Sequence, residues 1–393
     1  MFRKSRFYIS AMLAAVVLTA LLITSNVKAC DDAPQTLLSL FMNSDLVVLA
    51  KYEGSGEAKK VSEDEYGYSL EAGRNLAISK VFKGQNDIQQ VSFLFSDYVS
   101  TQQPTEPETA SPETTLDETE HYEPENYFDI SKIKIGEHYL FFLSKDKETG
   151  EYRITDYSSG VKEVGDKLEV YDKSLTELAS IAASEENRYA KLTEWIVKSI
   201  EEPITRDDGM NDLSESIYGL NNQEEQPELK DKGPFVINED YGVYTVGVAA
   251  KLSPTQISRV SAVLYPMLQE AWFTEKPGYA NYSVGVILGG FNKSRLAVYA
   301  HNSLQSVAKD DLERRTIIME FLTTTVEDEN LSKIYYEYVE LEGKIKEAAK
   351  DTPEEKKQLK IMLASKNAML KNFDRRFKFM FERNFVKVEE PQA

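Results

Sequence analysis

The chain has 393 residues, a formal net charge of −19 and a hydrophobic fraction of 41%, enough apolar material for a sizeable core spread over two or three folding units. So acidic a chain argues against a nucleic-acid partner, because phosphate binding needs clustered Lys and Arg to release counterions. Its single cysteine, Cys30, excludes an internal disulfide, so stability must come from packing.

The first 29 residues read as a signal peptide. Arg3, Lys4 and Arg6 form a basic start, an apolar run follows from Phe7 to Ile23, and Val27-Lys28-Ala29 supplies small residues before an expected cut between Ala29 and Cys30. Cleavage would remove four basic residues and no acid, taking the net charge from −19 to −23. An uncleaved membrane anchor is the other reading of the apolar run. Cys30 itself has three readings: a free mature N-terminus, a lipid attachment point, or a thiol with no role.

After Cys30, Pro34 starts a stretch that reads as amphipathic, in which Leu37, Leu38 and Phe41 recur at helical spacing until Asn43, Ser44 and Asp45 break the pattern. "LVVLAKYEG", "RNLAISKVFKG" and "DIQQVSFLF" then read as strands, and "KIGEHYLFFLSKD" with "EYRITDYSSG" as a hairpin around Thr149-Gly150. About five strands behind one short helix predict a small closed β-barrel over residues 30–172. A Pro, Thr and Glu-rich stretch near residues 100–126 interrupts it and reads as a disordered acidic insertion.

From Lys173 the pattern turns helical. Residues 173–228 read as a long helix stopped at Glu202-Pro203 and then a polar linker, and residues 229–393 as a mainly helical domain. Ser253-Pro254 can begin one helix, "DDLERRTIIMEFLTTTV" carries another, and Leu331 to Phe385 reads as two long helices broken at Asp351. Thr352 and Glu355 have capping-box spacing at the restart, and Leu359, Leu363, Leu370, Phe373, Phe377 and Phe381 form a packing stripe.

Enzyme motifs are missing, so no catalytic residue, resident metal or cofactor is expected. His121, His138 and His301 are scattered, with no second ligand at helical spacing. No nucleophile elbow appears, and "LGGFNKSR" lacks the pattern of a phosphate loop. "VEDEN" and "SEDEY" could bind calcium only weakly, since they lack spaced ligands and a loop glycine. Asn281, Asn292 and Asn330 begin glycosylation sequons.

The stretch "C…PQTLLSLFMNSDLVVLAKYEG" resembles the start of the tissue inhibitors of metalloproteinases, with "VFKG" and "GEHYLFF" following in the family's order over Cys30 to Tyr171. The resemblance implies a netrin-like, oligonucleotide-binding-type (OB-fold) barrel ahead of the helical region. It also implies an exported protein that binds and inhibits a zinc metalloprotease. In that family the α-amine and carbonyl of the first cysteine chelate the protease's zinc, which keeps a coordination position open. Carried over, Cys30 would be the zinc ligand and Asp31 would point into the specificity pocket. The chain departs from the family in lacking the disulfides that fix this segment and in having Asp32 where the family has a cysteine. The rival reading is a binding or scaffold protein held on a membrane, through a lipid on Cys30 or an uncleaved signal. A lipidated amine could not chelate zinc, so the two readings exclude each other.

Overall fold

The computed structural model describes residues 35–63, 67–100, 132–184, 186–221, 236–238, 242–244, 251–273, 279–308, 311–348 and 352–384. The expected signal segment, Cys30, Asp31, His121 and nearly all of the acidic insertion lie outside these residues.

The described chain starts with a short helix, α1 (Leu37–Asn43), which runs directly into β1 (Leu46–Ser55). β1 pairs antiparallel with both β3 (Gly67–Lys83) and β5 (His138–Lys145), and β3 pairs with β4 (Gln90–Ser100). β4 runs parallel to β6 (Tyr152–Ile154), and β6 returns antiparallel to β5, which closes a five-stranded barrel in the order β1-β3-β4-β6-β5. β2 (Lys59–Glu63) extends β3 on one side, and β7 (Val161–Glu163) adds to β5. Three register shifts between β1 and β3 supply the extra local twist that so small a ring needs.

β1 is apolar without interruption at its start because both of its faces are covered. Leu46, Val48, Ala50 and Tyr52 point into the barrel beside Leu76, Phe93, Tyr139, Phe141 and Leu143. Val47 and Leu49, on the alternate face, join Phe82, Leu140 and Phe142 in a second cluster shared with the helices. The Lys-Gly turn after β3 has a steric cause: Gly84 has φ +104°, and a Cβ there would lie 2.9 Å from Leu46 Cδ1 and 3.0 Å from the Asp45 carbonyl oxygen.

The helical region begins earlier than the expected junction after residue 172, because α2 spans Leu168–Ala183. The long helix expected next is broken, and α3 (Arg188–Glu201) starts only after Asn187 adopts a left-handed φ of 54°. α4 (Arg206–Asn221) was not evident in its sequence and takes in the first residues of the expected linker. Gly209 is what lets α4 lie on α3, since a Cβ would meet the Ile200 nitrogen at 2.9 Å and the Ile196 carbonyl oxygen at 3.0 Å. A small strand pair, β8 (Val236–Asn238) and β9 (Gly242–Tyr244), follows, and β9 lies beside α1 and α4.

α5 (Pro254–Phe273) starts where the sequence indicates, with Ser253 Oγ accepting the Gln256 N–H. α6 (Tyr279–Ser306) contains "LGGFNKSR" and is broken at Asn292, whose carboxamide oxygen accepts the Arg295 N–H and restarts the helix. α7 (Leu312–Val326), α8 (Glu329–Glu347) and α9 (Pro353–Asn384) complete the chain's described helices. The capping box forms as expected: Thr352 N–H donates to Glu355 Oε2 (2.8 Å), and Glu355 N–H donates to Thr352 Oγ1 (3.2 Å). The stripe on α9 needs correction at its N-terminal half. Phe373 and Phe377 are buried and Leu370 and Phe381 half-buried, but Leu363 is 43% exposed. Lys366 takes the buried position one turn before Leu370, beside Glu342 of α8 at 3.6 Å. A charged residue is tolerated there because its partner is buried with it.

Replacing Gly84 by alanine should destabilise the protein by about 1–3 kcal/mol, from the left-handed backbone and the collision with β1. Urea unfolding checks this, and an unchanged midpoint would contradict the close approach of the β3 turn to β1.

Candidate functional site at the root of the N-terminal segment

Cys30 and Asp31 lie outside the described residues, so the site that can be built is the one from which they emerge: Gln35, α1 and what holds them. Leu37, Leu38, Leu40 and Phe41 are all at most 1% exposed, so this seven-residue helix is buried around its whole circumference and is not amphipathic. Its apolar burial contributes about 6–12 kcal/mol for four side chains. Fixing seven backbone residues costs about 7–14 kcal/mol. The two nearly cancel, and the polar contacts at the helix ends decide the outcome.

Those contacts come from three directions. At the N-terminal end, Thr36 Oγ1 accepts the Ser39 N–H (3.0 Å) and donates to Asp212 Oδ1 of α4 (2.7 Å). The Leu37 N–H donates to Asp208 Oδ1, also on α4, at 2.8 Å. At the C-terminal end, Lys83 Nζ donates to the Phe41 and Met42 carbonyl oxygens at 2.8 and 2.9 Å. Acid at the N-terminus and base at the C-terminus both match the helix dipole. Ser44 Oγ donates to the Leu40 carbonyl (2.7 Å) and contacts Thr155 Oγ1 (2.9 Å), which ties the helix exit to the barrel.

The electrostatics follow from burial. Asp208, Asp212 and Glu215 stand at helical spacing on α4, and Lys162 Nζ of β7 approaches Asp208 at 3.9 Å. Burial pushes the Asp212 carboxyl well above the usual range; the Thr36 hydrogen bond opposes that shift, and the charges of Asp208 and Glu215 reinforce it. Glu215 is raised by burial alone. Tyr171 is pushed up to about 12 by burial and by the Asp208 charge. Burial lowers Lys83 against the attraction of Asp45.

The other sequence candidates are not assembled with this site. His138 is exposed on β5 and meets Ser79 Oγ at 3.1 Å. His301 is buried on α6, stacked on Phe377 and 2.5 Å from Asp374 Oδ1, as a structural link to α9. In "VEDEN", Asp328 Oδ1 caps α8 by accepting the Leu331 N–H and also pairs with Arg376, while Glu327 pairs with Lys293, so these carboxylates are already engaged. Asn292, a sequon residue, uses its side chain as the α6 cap. Among the described residues, no group of three His, Cys, Asp or Glu side chains could hold a metal ion, and no helix is long and apolar enough to cross a membrane. An open groove of about 600 Å³ along α8 is lined mainly by acidic residues, Glu327, Glu329 and Glu340 among them, with Ser332, Lys333 and Tyr336, and the Ser332 hydroxyl donates to the Asp328 carbonyl oxygen. No family model matches the chain, and neither a curated protein nor a solved structure matches it.

Asp208 and Asp212 escaped sequence reasoning because a chain with 65 acidic residues gives no ground for choosing two of them. The one available signal was their i, i+4 spacing within "RDDGMND", ahead of buried Leu213 and Ile217.

A pH dependence follows. Because the folded pKa of Asp212 is raised, its contribution to stability is fully present below the unfolded carboxylate value near 3.9 and is lost as pH rises through the folded value. Asp212→Asn should abolish that loss. The melting temperature of the unmodified protein is therefore expected to fall relative to the variant as pH rises above about 4. Parallel melting curves for the two proteins would contradict a buried ionisable Asp212.

Proposed function

We propose that the chain is an exported, non-enzymatic protein whose N-terminal barrel is of the netrin-like, OB-fold type. It binds and inhibits a zinc metalloprotease through the α-amine and carbonyl of Cys30, with Asp31 directed at the protease's specificity pocket. One observation carries the reading. The segments that carry the resemblance, "NSDLVVLAK", "VFKG" and "HYLFF", fall on β1, the end of β3 and β5 of a closed five-stranded ring, behind a short leading helix. Relabelled by order within the ring strands alone, the barrel runs 1-2-3-5-4 and back to 1, with strands three and five parallel. That arrangement supports the OB-fold reading.

The chemistry is a ligand exchange. A neutral α-amine and the adjacent carbonyl would occupy the position that a zinc protease reserves for its hydrolytic water. The partner's zinc is the target, so the chain needs no metal of its own. An α-amine with a reference pKa near 7.7–8.0 loses its lone pair on protonation, so binding should weaken as pH falls below that range.

Extending the mature chain by one alanine before Cys30 should abolish inhibition in a panel of zinc metalloproteases, while melting temperature stays unchanged. Full inhibition by the extended chain would rule out chelation. Intact mass of the protein from its own host supplies the second check: a lipid on Cys30 or an intact Met1 start would favour the membrane-held scaffold instead.

A further inference from the structure

The helical region reaches the start of the described chain through two carboxylates. Thr36 bonds Asp212 across 176 residues and the Leu37 amide bonds Asp208 across 171. Asp212 is 4% exposed and Thr36 8%, so water does not readily take the place of either partner. Lys162 of β7, Tyr171 of α2 and Glu215 of α4 are the other titratable groups that act on this pair of carboxylates. Ser39 Oγ donates to Gln35 Oε1, so the local hydrogen bonding extends one residue further toward the N-terminus.

We propose that Asp208 and Asp212 are positioning residues for the N-terminal segment. They fasten the chain at Thr36 and Leu37, fix the root from which Cys30 is presented, and so give the helical region the task a covalent cross-link would otherwise perform. The functional consequence rests on the metalloprotease reading; the fastening is a property of the fold. Cys30 lies six residues before Thr36 and so within about 20–22 Å of it when fully extended. A segment of that reach with a loose root explores a large volume, whereas one with two buried attachments starts from a fixed point and angle. Binding through its tip then gives up less freedom, which is the general advantage of preorganisation.

The test uses the full mature chain. With Cys30→Ser removing the only native cysteine, nitroxides on Gln35→Cys at the root and on Glu151→Cys in the exposed β5–β6 turn give a distance distribution by pulsed electron resonance. The distribution should be narrow in the otherwise unaltered chain and in Thr36→Ser, which keeps the hydroxyl, and should broaden in Thr36→Val and in Asp212→Ala. Unlabelled Thr36→Val and Asp212→Ala should inhibit roughly ten- to a hundredfold more weakly, and Thr36→Ser should restore inhibition. Asp212→Ala leaves the buried Thr36 hydroxyl without its acceptor, so its melting temperature is expected to fall as well; the distance distribution, measured well below melting, and the rescue by Thr36→Ser are the readouts that a merely structural role would not move. Distances equally broad in all four chains, or broadened distances with undiminished inhibition, would overturn the positioning role. If the distances behave as expected and the unaltered chain inhibits no protease, the metalloprotease reading fails and the positioning role stands.

Discussion

The structure depends on β1 being buried on both faces. Its even-numbered residues from Leu46 to Tyr52 fill the barrel, and Val47 and Leu49 enter the cluster that runs on through α1 and the helices. A slip of one residue would exchange the two sets and disrupt both cores together. Barrel closure and helix packing are therefore specified by the same five or six side chains. The outer cluster continues through α2 to Phe373, Phe377 and Met380 of α9, so the barrel wall is part of the helical core.

Buried and half-buried polar groups in this protein act as fasteners between elements distant in sequence. Arg259 of α5 holds Glu194 and Glu201 of α3, Arg376 of α9 holds Asp328 at the start of α8, and Asp208 and Asp212 hold α1. Lys366 and Glu342 form a buried pair with Thr316 donating to Glu342, and burial lowers the lysine against the pull of that carboxylate. Such pairs contribute little net stability, because desolvation offsets attraction, but each makes one docking geometry much better than its neighbours. Asp374 shows the same balance. Burial works to raise its carboxyl, yet the His301 and Lys378 contacts hold it below the usual range.

With one cysteine in the chain, the short leading helix has to be held without a disulfide. A short helix with balanced packing and entropy terms would fray if its ends were free, and here both ends are held: by α4 at Thr36 and Leu37, and by Lys83 and Ser44 at the exit. Rigidity at that root comes from the helical region and β3 instead of from covalent links.

The sequence by itself determined the local features. Apolar strands with β-branched residues, the Lys-Gly turn after β3, the hairpin at Gly150, the Ser253 cap and the Thr352–Glu355 capping box are visible because each rests on residues within a few positions of one another. The ring order of the barrel, the existence of α4 and α6, and the burial of Lys366 were decided only by tertiary structure. α4 carries Asp, Asn, Ser and Gly at positions where intrinsic preference disfavours a helix, and it forms because Gly209 lets it lie on α3. The pair of carboxylates that holds Thr36 and Leu37 could not be chosen among 65 acidic residues, since what distinguishes them is burial against a segment more than 170 residues away. Spacing along the chain encodes which face a residue shares with its neighbours, and only folding decides what that face meets.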